Sequence, residues 1–165
     1  MDKVIDFARV PAMTIRKDNR CVFKQVNPEN IFMFPRGILG FECIKKYVFL
    51  INEKVEPFIF MHAIDDSNLS FVCIEAFIIR PDYNFTLAEE NIKFLALKTP
   101  CELMVLNIVT VRKKVEDITA NLMSPLLVNI KNSMAMQLVL DDPAYPVKYN
   151  IWESIENSRS SLKVS

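Results

Sequence analysis

The sequence is short of glycine, of histidine and of net charge. Its 165 residues include 2 glycines, Gly37 and Gly40. Phosphate-binding loops need several glycines so that the backbone can approach the phosphates closely, and the spacing Gly37-Ile38-Leu39-Gly40 fits neither phosphate-binding fingerprint. The single histidine, His62, falls inside the apolar run 58–64 and reads as a core or rim residue. A Cys–His or Ser–His couple would have to use it, and no nucleophile motif lies beside it. Lysine and arginine total 20, aspartate and glutamate total 20, and the formal net charge is +0. Nucleic-acid and anionic-membrane surfaces need a clustered positive field. The basic pairs and triplets here, Lys45-Lys46 and Arg112-Lys113-Lys114, read as solvated turns. The 4 cysteines are widely spaced and form no CxxC, which argues against a zinc cage. Cys73 and Cys101 lie in apolar runs and are expected to be buried, reduced thiols. No metal and no cofactor is expected. The first residues mix charges with no long apolar stretch after them, and no run approaches the length of a membrane span. A cytoplasmic, reducing location is the expectation.

What the chain has in quantity is apolar mass: 51% hydrophobic residues and 12 phenylalanines, with 9 prolines as punctuation. That suffices for one domain with a real core. Residues 1–12 are unpatterned and read as an extension, residues 13–149 as the domain, and residues 150–165 as a polar C-terminal tail. In the tail Ile151, Ile155 and Leu162 recur at roughly helical spacing, so it is either a docking helix or, from Ser158 on, a frayed end. Short strands are expected at 13–16 and 21–26 across a polar turn, then at 47–51, 58–64, 69–79 and 101–111. The last two runs are apolar on both faces, as in a closed barrel or covered sheet. One short helix is expected near residues 86–95. Thr86-Leu87-Ala88-Glu89 reads as a capping box that opens it, Ala88, Ile92 and Leu95 share a face, and Pro100 lies beyond its end. The fold class is mostly β: an antiparallel β-barrel-like single domain with that one helix.

The stretch 119–130 organises the C-terminal half. Ser124-Pro125 interrupts an apolar run, 126–130 reads as a strand, Lys131-Asn132-Ser133 as a turn, and 134–140 as the returning strand of a hairpin. Glu75 is a lone charge on a strand face with Phe71, Cys73 and Phe77. It is either bonded near the strand end, with Arg80 as one partner, or it is a polar group set in an apolar patch that meets another protein. Arg80-Pro81-Asp82-Tyr83 is a turn whose Asp82 and Tyr83 are free for a partner. Asn121, Asn129 and Asn132 either cap and turn the hairpin or join the same surface. An enzymatic alternative would assemble Glu75, His62 and the aspartate pairs Asp65-Asp66 and Asp141-Asp142 in one pocket.

Four stretches resemble the flagellar assembly factor FliW family in order: Phe34-Pro35-Arg36-Gly37-Ile38-Leu39-Gly40-Phe41, with Ile38 at a usual leucine; the strand pair at 57–72; Pro81-Asp82-Tyr83; and 119–130 with Asn132 and Tyr145. The likeness spans about residues 13–149. It implies a β-barrel-like fold and a non-enzymatic, cytoplasmic role in which the protein binds and antagonises CsrA, an RNA-binding repressor of flagellin translation, and also binds flagellin. From the balanced charge and the absence of a membrane-length run, no direct nucleic-acid or membrane contact is expected. The residues expected at the partner surface are Phe71, Glu75, Arg80, Asp82, Tyr83, Asn121, Asn129 and Asn132.

Overall fold

The structure, a computed structural model, describes residues 13–15 and 30–164, with side chains up to residue 160. The expected strand 21–26 and its turn lie outside the described residues. A nine-stranded antiparallel sheet carries the fold. Its main path runs β10 (Ala135–Gln137), β9 (Leu126–Asn129), β7 (Leu103–Thr110), β5 (Ser70–Glu75), β4 (Ile59–Ala63), β3 (Lys46–Ile51), β2 (Phe32–Met33). β8 (Thr119–Ala120) pairs with the end of β7 and with β11 (Tyr149–Asn150). The path curls until its two ends meet. Met33 forms a parallel bridge with Met134 and its N–H donates to the Ser133 carbonyl at 2.9 Å, and Gln137 Oε1 accepts from the Leu39 N–H at 3.0 Å. The result is a nearly closed barrel, as the apolar runs predict.

Strand alternation separates two cores. Phe49, Met61, Cys73 and Leu106 point inward with Phe32, Tyr47, Leu126 and Val128. On the other face, Ile74, Val105, Val109 and Leu127 pack under the helices and a separate two-stranded sheet of β1 (Met13–Ile15) and β6 (Phe85–Leu87). β7 is therefore covered on both faces, which is why its sequence shows little alternation.

Three α-helices occur among the described residues, two more than expected. The run 69–79 is not one strand: it bends after Glu75 into α1 (Ala76–Ile79), a single turn closed by the Arg80 N–H on the Ala76 carbonyl. Phe77 thus leaves the strand face of Glu75. A continuous apolar run has no period, so strand and buried helix look alike in it. α2 (Glu89–Leu95) starts three residues later than Thr86. Thr86 lies instead in β6, opposite Thr14, and the N-cap, Ala88, makes no side-chain cap bond. Strand pairing with β1 has overridden the local capping box. The chain from Trp152 to Val164 forms α3, a helix rather than a frayed tail. Asn150 Oδ1 accepts from the Trp152 N–H, Ile151 and Ile155 are buried one turn apart, and Arg159 Nε donates to the Glu56 carbonyl.

Candidate interaction surface

The residues expected to meet a partner fall at separate places, and most are explained by intramolecular bonds. Asn129 is buried. Its Nδ2 donates to the Leu95 carbonyl at 2.8 Å and its Oδ1 accepts from the Lys131 N–H at 2.9 Å. Asn132 Nδ2 donates to the same Leu95 carbonyl at 3.0 Å, and its Oδ1 accepts from the Met134 N–H. The two asparagines shape the β9–β10 turn and also satisfy a carbonyl that the C-terminus of α2 leaves open. The left-handed residue of that turn is Ser133, φ 62°, not Asn132. Asn121 Oδ1 accepts from the Ser124 N–H, holding the approach to the proline, and its carbonyl accepts from Asn107 Nδ2.

Tyr83 is not free for a partner. It is fully buried, its hydroxyl donates to the Leu122 carbonyl, and its ring lies 4.6 Å from that of Tyr145 and 5.5 Å from that of Phe85. Burial pushes its phenol well above the ordinary range. Tyr145 in turn bridges the backbone of Asn84 through its hydroxyl, accepting from the N–H and donating to the carbonyl. Glu75 is also buried, 9% exposed, at the end of β5 opposite Leu106 on the inward face. A side chain so placed is no exposed point in an apolar patch.

Arg80 and Asp82 do reach the surface. Arg80 Nε donates to Asp82 Oδ1 at 2.8 Å, Nη1 donates to the Ala144 carbonyl at 3.2 Å, and the guanidinium lies 5.4 Å from the ring centres of both Tyr145 and Tyr149. The Asp82 bond raises the guanidinium pKa further. Asp82 itself is 76% exposed. Phe71 is half-buried at the other end of β5, four residues or about 13 Å from Glu75, where its ring packs edge-on against Phe41 at 5.2 Å. Phe41 and Tyr47, both absent from the expected set, belong with it. Phe41 was legible as part of the Phe-Pro-Gly segment; nothing local marks Tyr47.

The enzymatic alternative is not assembled. His62 pairs with Val48 and Ser70 on the sheet face opposite that of Met61, whereas Glu75 sits on the inward face with Leu106. Among the described residues no group of three or more His, Cys, Asp or Glu could hold a metal ion. Cys73 is buried and its thiol is pushed up by burial, but Cys101 is exposed, contrary to expectation. Pro100 opens a 3-10 turn over Pro100–Glu102, so Cys101 precedes the strand that its apolar context suggested.

What these elements define is a small barrel-like β protein with half-buried aromatics at one end and a paired Arg–Asp turn elsewhere on its surface. The comparisons with known proteins place it further. The FliW protein family model matches residues 17–151. The flagellar assembly factor FliW of Alkaliphilus metalliredigens is 37% identical over 133 residues, 80% of this chain and 82% of that protein. That of Treponema denticola is 38% identical over 127 residues, covering 77% and 86%. A crystal structure of the flagellar assembly factor FliW superposes with a TM-score of 0.70 at 29% identity, over 76% of this chain and 88% of that one. The chain belongs to the FliW family.

Proposed function

We propose that this protein is a non-enzymatic regulator in the cytoplasm that binds CsrA, antagonises it, and also binds flagellin, so that flagellin held by the protein frees CsrA to repress further flagellin synthesis. The observation that carries this reading is membership of a family of flagellar assembly factors, with identity of 37% across four-fifths of the chain. The separation of Glu75 and His62 on opposite sheet faces favours binding over catalysis. Among the described residues no helix is long and apolar enough to cross a membrane.

If one protein links the two ligands, each lowers the other's affinity by the same factor. The test is a titration of labelled CsrA with this protein, with and without flagellin. A rise in the apparent Kd for CsrA on adding flagellin is expected. Simultaneous binding of both with unchanged affinities leaves a scaffold and refutes the regulator.

A further inference from the structure

We infer that Met33 and Met134 form a paired oxidation site at the seam of the barrel, and that conversion of their thioethers to sulfoxides by a peroxide loosens the closure of the ring.

The sheet closes where β2 meets the start of β10, and the two residues of the bridge there are both methionine. The Met33 N–H donates to the carbonyl of Ser133, the residue before Met134, at 2.9 Å. The seam is short. β2 has two residues, and further along the junction the Leu39 N–H donates to Gln137 Oε1 at 3.0 Å. Both methionines stand on the outer face of the sheet. Met33 alternates with Phe32, which faces the inner core, and Met134 packs against the outer cluster. Both are half-buried, so each is open to a small solute on one side and held against its neighbours on the other.

The chemistry needs the thioether and the oxidant alone. The sulfur attacks one oxygen of hydrogen peroxide. An S–O bond forms, the O–O bond breaks, and the departing hydroxide takes the proton of the transferred hydroxyl and leaves as water. Sulfur gives up two electrons and the peroxide gains them. Because no other group takes part, access decides which methionines react. Of the 8 methionines, Met61 and Met104 are fully buried and Met136 is 4% exposed, so these are shielded. Met13 and Met123 are half-buried like the seam pair. Met13 belongs to the separate β1–β6 sheet, and Met123 precedes the turn at Ser124-Pro125, so oxidation there leaves the junction alone.

What sets Met33 and Met134 apart is the consequence. A sulfoxide is polar where the thioether was apolar, and a polar oxygen pressed against an apolar cluster must either find a donor or move toward water. Either response pulls on the residues that carry the bridge. Elsewhere in the sheet a five-residue ladder such as β3–β4 would absorb the disturbance; at the seam there is little pairing to absorb it. Methionine sulfoxide reductases reverse the change, so a seam loosened in this way can close again.

The experiment treats the folded protein with hydrogen peroxide, maps sulfoxides by mass spectrometry of peptides, and follows amide hydrogen exchange by NMR in wild type and in Met33→Leu/Met134→Leu. Leucine keeps volume and apolarity but cannot be oxidised in this way. In wild type, Met33 and Met134 are expected to convert while Met61 and Met104 stay reduced. Exchange at the amides of Met33 and Leu39 is expected to rise at least about tenfold, with β4 and β7 still protected. The leucine variant, given the same dose, is expected to keep its seam protected. Met33 and Met134 left reduced while Met13 and Met123 convert would overturn the site. Conversion of the pair with unchanged exchange at the seam would overturn its effect on closure. Met61 and Met104 converting as fast as the seam pair would overturn it too, since the whole protein would then be opening. So would equal loss of seam protection in the treated leucine variant. The wild-type arms decide the matter even where leucine is not tolerated at both positions.

Discussion

Replacing Asn129 by alanine is the sharpest probe of how the hairpin and α2 are joined. The side chain is 1% exposed and makes two well-formed bonds, to the Leu95 carbonyl and from the Lys131 N–H. At about 1 kcal/mol for each net bond, plus part of the penalty for a buried polar group left unmet, Asn129→Ala is expected to cost about 2–3 kcal/mol. For a chain of this size that corresponds to a fall in melting temperature of about 4–12 °C. Asn132→Ala removes a bond to the same carbonyl, but Asn132 is exposed and water can replace it, so the cost is expected below about 1 kcal/mol. Each single variant leaves Leu95 one donor; the double variant leaves it none. The double loss should therefore exceed the sum of the singles by about 0.5–1 kcal/mol. Urea unfolding followed by far-ultraviolet circular dichroism and by the fluorescence of Trp152, the one tryptophan, measures all three. Equal losses at the two positions, or strict additivity, would refute the shared-carbonyl argument. Unchanged stability with weakened partner binding would return both asparagines to the partner surface.

Ala96 holds φ 49° at the C-cap of α2, a left-handed conformation that glycine adopts more freely, so Ala96→Gly should stabilise by about 0.5–1 kcal/mol in the same unfolding assay. Glu75→Lys should lower stability by about 3 kcal/mol or more, because the new charge replaces a buried one on the inward face; a variant with wild-type melting temperature and weakened binding would refute this. In a Cys21→Ser background, a thiol reagent at pH 8 should modify Cys43 and Cys101 quickly and Cys73 only on unfolding, since the Cys73 thiol is buried and its pKa is raised. Rapid native modification at Cys73 would contradict its place in the inner core.

The strands of the barrel were legible because their cause is local. A run such as 103–110, apolar at nearly every position, has few uses other than a strand covered on both faces, and β7 is that strand. Where the cause lay elsewhere in the chain, local reading failed. Thr86 carries the residues of a capping box, but β1 arrives from more than seventy positions away to pair with it. Tyr83 follows a Pro-Asp turn and looks exposed until Tyr145, 62 positions later, packs against it. Asn129 and Asn132 look like turn residues, which they are, but the carbonyl they share belongs to Leu95, at separations of 34 and 37. The bend after Glu75 left no mark because the residues on both sides of it are apolar and buried.

The barrel is closed by very little. β2 has two residues and β10 three, and among the described residues the bonds across their junction are a backbone bond from Met33 and a side-chain bond to Gln137. The latter joins positions 98 apart in sequence. Joining distant positions confines a long loop before any contact repays the lost freedom, while the β3–β4–β5 meander forms from neighbours. Loop-closure entropy therefore predicts that the sheet forms first as a curved, open ribbon and that the ring closes last, an order that mutational analysis of the folding rate would check.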